Sequence, residues 1–197
     1  MKILVLSALL MLNSVALAGF EMHSFTSDPF SFTIGAPLTW TLLPASFPTE
    51  EYRLHNQNLY DLVSERHMVP IIRIVKPIHE TQAISPAVQV FVEPDEGETP
   101  VEYLATTIKM SATSYRDFRI VKAPSDNILN GTKAAFMECT FVVEYSGGRS
   151  FPTDSRLWAI GRDKMMFVIA VSGEPDDLKA LSQEIDMIMG TVRFKKE

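Results

Sequence analysis

Seven consecutive residues, Met165-Met166-Phe167-Val168-Ile169-Ala170-Val171, are apolar, and this run constrains the fold of the chain more than any other. Successive side chains of a strand point to opposite faces, so Phe167, Ile169 and Val171 share one face while Met166, Val168 and Ala170 share the other. A strand that is apolar on both parities belongs inside a sheet covered on both sides. Two further strands precede it, Thr132 to Tyr145 and Ser150 to Ile160, joined through Ser146-Gly147-Gly148 and Gly161-Arg162-Asp163. Asn130-Gly131 supplies a hairpin turn ahead of all three. In the first of them Ala135, Met137, Cys139, Phe141 and Val143 form the apolar parity, with Glu138, Thr140 and Glu144 on the other.

Helices must supply the cover, and the sequence holds two good ones. Thr99-Pro100-Val101-Glu102 combines an N-cap threonine, a proline in the first turn and a glutamate three residues after the cap, which is a capping box. Behind it Val101, Leu104, Ala105, Ile108, Ala112 and Tyr115 recur at helical spacing, predicting a helix from Pro100 to Ser114. The second helix begins near Pro175, carries Asp176 and Asp177 in its first turn, presents Leu178, Leu181, Ile185 and Ile188, and closes at Gly190. Upstream, Phe30, Phe32 and Ile34 read as a first strand, Gly35-Ala36-Pro37 as a turn, and Thr39 to Leu43 as an extended piece around Trp40. Val69 to Val75 and Ala87 to Val92 are β-branched runs bounded by prolines, Phe118 to Lys122 is a short strand, and Thr191 to Phe194 is extended. The fold class that follows is α+β, an α/β/α sandwich whose central, mainly antiparallel sheet is covered by helices on both faces.

The N-terminus says where the protein works. Lys2, the apolar run Ile3 to Leu12, and small residues at Ala16 and Ala18 compose a signal peptide over residues 1–18, cut between Ala18 and Gly19. The run is shorter than the roughly 20 residues a membrane span needs, and no cysteine follows the cut to take a lipid. Residues 19–29 read as a flexible N-terminal segment and 30–194 as a single domain. The formal charge of −6 becomes one unit more negative once Lys2 leaves. That balance excludes a nucleic-acid partner and disfavours an anionic membrane surface. A single cysteine, Cys139, permits no internal disulfide, so the domain rests on burial. The expected location is periplasmic or secreted, with no transmembrane span after cleavage.

The order of elements resembles a known family. Phe30-Ser31-Phe32-Thr33-Ile34 leads to Pro37 and Trp40, then strands, the capped helix at Thr99 to Ser114, a meander ending in Met165-Met166-Phe167-Val168-Ile169, and a helix running into Ile188-Met189-Gly190-Thr191-Val192-Arg193-Phe194. This pattern is similar to the PsbP-like domains, which include a lumenal photosystem II subunit, a Ran-binding nuclear import factor and many bacterial exported domains. The resemblance spans Phe30 to Phe194 and implies a sandwich that acts by binding proteins. It carries over no catalytic residue, places Phe30, Pro37 and Trp40 in structural roles, and offers no counterpart to the functional N-terminal arm of the photosynthetic member.

Motifs for chemistry are sparse. The chain has neither a Gly-x-Ser-x-Gly elbow nor a Ser-x-x-Lys pair. Gly147-Gly148 is explained by a tight turn, Asp95-Glu96-Gly97-Glu98 by a solvated turn before a helix, and Cys139 by burial as an inert thiol. Asn130-Gly131-Thr132 matches a glycosylation sequon that the hairpin explains without sugar. The histidines lack the spacing that would make them converge on a metal, and of them His67 and His79, flanking a strand, would be the first choice. We therefore assign no catalytic, cofactor or metal residue, and expect no cofactor. The leading expectation is an exported, soluble, non-enzymatic binding or assembly module of the cell envelope with an envelope protein as partner. The alternative is a periplasmic small-ligand-binding, metal-binding or hydrolytic protein. Its site would lie under the 44–68 connection, lined by Tyr52, Arg53, His55, Tyr60 and His67, since loops on a rigid scaffold carry function.

Overall fold

A computed structural model describes residues 20–45, 68–77, 84–144 and 148–195. The strands are β1 (Met22–Ser27), β2 (Phe32–Pro37), β3 (Thr41–Pro44), β4 (Val69–Val75), β5 (Ala87–Pro94), β6 (Arg116–Leu129), β7 (Thr132–Glu144), β8 (Ser150–Arg162), β9 (Met165–Gly173) and β10 (Arg193–Phe194). Among the described residues the helices are α1 (Pro100–Ser114), α2 (Pro175–Ala180) and α3 (Ser182–Gly190). Among the described residues, seven strands form one sheet in the order β3-β4-β5-β9-β8-β7-β6, and β1-β2-β10 form a smaller one. Each pairing among them is antiparallel. From β5, in the interior of the sheet, the chain crosses through α1 to the far edge at β6. It returns strand by strand until β9 closes against β5, with Ala87 opposite Ser172.

The apolar run of β9 is buried on both parities, and its residues divide between two clusters. Phe167, Ile169 and Val171 join Phe32, Ile34 and Trp40, together with Leu178 of α2 and Ile185 and Ile188 of α3. Met166 and Val168 join Ala135, Met137, Cys139 and Ala159, together with Leu104 of α1. Phe30 and Phe32 bring their rings onto Phe167, one edge-on at 6.1 Å and one stacked at 6.5 Å.

Several local expectations change. Within the segment 19–29, expected to be flexible, Met22–Ser27 is a strand paired along β2 from Met22↔Pro37 to Ser27↔Phe32. Its polar composition reflects wet side chains, while its backbone groups find partners in the ladder and Phe25 packs on the core. Gly35-Ala36-Pro37 continues β2 instead of turning, and the turn comes where Trp40 N donates to Pro37 O. Glycine at 35 suits a close approach, since a Cβ there would stand 3.2 Å from His23 O and the neighbouring strand would have to give by a few tenths of an ångström. The β8–β9 connection is Asp163-Lys164, both at positive φ, with Gly161 inside β8. Phe118 to Lys122 is part of a strand that runs from Arg116 to Leu129. The helix expected from Pro175 to Gly190 is broken at Leu181 into α2 and α3.

Two polar clamps tie the C-terminal helices to the rest. Glu184 Oε2 on α3 accepts from Trp40 Nε1 (2.6 Å), Lys76 Nζ (2.7 Å) and Thr39 Oγ1 (3.3 Å). Asn130 Nδ2, in the β6–β7 turn, donates to Met189 O (2.6 Å) and Val192 O (3.1 Å). The outer strand β6 is mostly exposed, carries Pro124, and shifts register against β7 at three places.

Candidate functional site

The strand β5 ends at Glu93-Pro94, and the chain must turn sharply there to enter α1. Asp95 shapes that turn: its Oδ1 accepts from Gly97 N at 2.8 Å, its own N–H donates to Lys164 O at 2.9 Å, and Gly97 takes a φ of 91°. The helix then starts on its capping box. Thr99 N and Oγ1 each donate to Glu102 Oε2 at 2.8 Å, and Glu102 N donates back to Thr99 Oγ1 at 3.3 Å. Between the strand end, this turn and the first three turns of α1 lies a cleft of about 270 Å³.

Its walls have one electrostatic sign. Glu93, Asp95, Glu96 and Glu98 line it with Tyr103, Thr106 and Thr107, while the thioethers of Met110 and buried Met166 supply apolar surface. Glu98 is steadied by Thr106 Oγ1 at 3.4 Å. Glu93 is half-buried. Burial raises its pKa above the ordinary carboxylate range, Glu96 pushes in the same direction, and a hydrogen bond from Tyr103 offsets part of the rise. Burial, and next the Glu93 charge, drive the Tyr103 phenol far above its usual value, so Tyr103 acts as a fixed donor. A cavity bounded by carboxylates and hydroxyls, with an apolar lip, suits a cationic head on an alkyl stem. Among the described residues no group of three or more His, Cys, Asp or Glu is placed to hold a metal ion.

A second, more open depression of about 240 Å³ involves Asp117, Arg119 and Asp154. Burial raises the Asp154 carboxyl. Burial, followed by the Asp154 charge, pushes the Cys139 thiol up to about 11, which keeps it protonated and unreactive at neutral pH.

No protein-family model and no curated protein sequence matches the chain. Solved structures do. The cyanobacterial PsbP, CyanoP, of Synechocystis sp. PCC 6803 superposes with a TM-score of 0.55 at 8% identity, over 91% of this chain and 96% of its own. LpqN, a protein involved in cell envelope biogenesis of Mycobacterium tuberculosis, superposes at 0.53 with 14% identity, over 89% and 92%. The fold is PsbP-like. On this PsbP-like scaffold the cleft sits where the interior strand β5 hands over to α1.

The pocket residues drawn from the sequence, Tyr52, Arg53, His55, Tyr60 and His67, lie outside the described residues, as do His79, Gly147 and the cleavage pair Ala18 and Gly19. The Asp95-Glu96-Gly97-Glu98 segment is a turn before a helix, as its composition indicates, and it also forms one wall of the cleft. The sequence signal for the cleft lies in the distribution of acids: Glu93, Asp95, Glu96 and Glu98 crowd the six residues ahead of a helix cap. Tyr103 and Thr107, one turn apart on α1, could be found only with the helix phase in hand. Among the described residues, no helix is long and apolar enough to cross a membrane.

Proposed function

We propose that this protein is an exported, non-enzymatic binding or assembly module of the cell envelope, released by a cut between Ala18 and Gly19 and working as a periplasmic or secreted domain over residues 30–194. Its layers form an α/β/α sandwich, a reading supported by Leu104 of α1 in one core cluster and Leu178, Ile185 and Ile188 of α2 and α3 in the other. The observation that carries the binding role is the cleft: each carboxylate lining it is an acid without a cationic neighbour in the lining, so its complement is a lysine or arginine side chain of a partner. The description of LpqN as involved in cell envelope biogenesis favours an envelope setting for the same fold.

The test pairs capture from envelope extract with titration by a lysine-containing peptide and its glutamine counterpart. The Glu93→Gln/Glu96→Lys variant is expected to lose roughly tenfold in affinity for the lysine peptide. Because burial holds the Glu93 pKa above the ordinary range, wild-type affinity is expected to fall as pH drops through that raised range, and the variant to lose this dependence. Equal binding of both peptides, or a variant that captures as well as wild type, removes the cleft from the function.

A further inference from the structure

Of the asparagines in the chain, Asn130 alone precedes a glycine. An Asn-Gly pair carries its own chemistry. The backbone nitrogen of Gly131 can attack Cγ of Asn130, forming the N–C bond of a five-membered succinimide as the Cγ–Nδ2 bond breaks and ammonia leaves with the amide proton. Water then opens the ring at either carbonyl, giving aspartate or its β-linked isomer. Glycine favours the attack because it brings no side chain to obstruct it. Both residues sit exposed at the turn, where water has access, at φ values of 49° and 84°.

The fold opposes that reaction. Both N–H bonds of Asn130 Nδ2 are engaged, one by Met189 O at the end of α3 and one by Val192 O just before β10. Ring closure needs Cγ to swing toward Gly131 N and Nδ2 to depart, so both hydrogen bonds must first break. We propose that Asn130-Gly131 is a latent self-modification site, closed while the hairpin is clamped to the C-terminal elements and open when the clamp releases. Conversion is one-way. A carboxylate has no N–H to offer and sets negative charge against two carbonyl oxygens, so the clamp does not re-form.

Purified protein is held in warm, mildly alkaline buffer with and without denaturing urea, and the peptide spanning residues 130 and 131 is followed by mass and by its isomer pattern. Asn127, which precedes isoleucine, serves as the reference. Conversion at Asn130 is expected to be at least roughly tenfold slower in the native protein than in urea, the factor that two net hydrogen bonds supply. Equal rates overturn the proposal. The converted native fraction, separated by charge, is expected to melt at a lower temperature than unconverted protein, as is Asn130→Asp. Should Asn130→Asp fail to fold, the wild-type rate ratio decides alone. An unchanged melting temperature of the converted fraction refutes the one-way consequence.

Discussion

Two carboxylates of this protein are displaced in opposite directions, and the contrast comes from their partners. Glu93 has one hydroxyl to offset its burial and ends high, whereas Glu184 has Lys76, Trp40 and Thr39. Burial by itself would raise Glu184, but the hydrogen bonds from Lys76 and Trp40 and the Lys76 charge outweigh it, and the net shift is downward. A carboxyl lowered in the folded state stabilises above its unfolded pKa, and that contribution disappears as pH falls through the lowered value. Glu184→Ala is therefore expected to cost about 2 kcal/mol near neutral pH. The cost should shrink below the usual carboxylate range. Urea unfolding followed by the combined fluorescence of Trp40 and Trp158 at a series of pH values checks both the size and the direction. A cost independent of pH would mean that lost packing, not the charge cluster, accounts for it.

At the scale of elements, α1 stands on local grammar more than on burial, since Leu104 is its one fully buried residue. Replacing Thr99 by alanine removes both hydrogen bonds of its hydroxyl and leaves only the backbone N–H of residue 99 on Glu102 Oε2, and is expected to cost about 1 kcal/mol, read as a shift in urea midpoint with unchanged slope. Local grammar is also why a helix from about Pro100 to Ser114 was legible in the sequence, as was the β4 run Val69 to Val75. What depended on distant partners was not. Met22–Ser27 becomes a strand only because β2 lies beside it, and nothing within its own six polar-leaning residues announces that. The break at Leu181 divides an unbroken apolar stripe, and α2 on its near side docks at the end of β9. A Cβ on Gly173 there would come within 3.0 Å of Leu178. Tyr115 fits the helical stripe by spacing, yet it lies past the end of α1 and is largely exposed, its ring packed against Phe141. The cleft was half legible. Its acidic turn is contiguous in sequence, but the enclosure requires β5 and α1 to meet.

At the scale of the whole molecule, the buried apolar side chains among the described residues fall into two separate clusters, and this gives a test of how independent they are. Leu104→Ala in one cluster is expected to cost about 3 kcal/mol and Ile185→Val in the other about 1 kcal/mol. Their double variant should match the sum to within about 0.5 kcal/mol, because the two sites share no contact. A marked excess or shortfall in urea unfolding would reveal coupling through the sheet. The same topology governs when a core can form at all. Interior strand β5 waits for β9, and β2 waits for β10, where Thr33 meets Arg193. Pairings so far apart in the chain are slow to close. Were a polypeptide with this wiring threaded head first through a narrow conduit, its hairpins could close one by one, but its core could lock only after β9 and β10 had arrived on the far side.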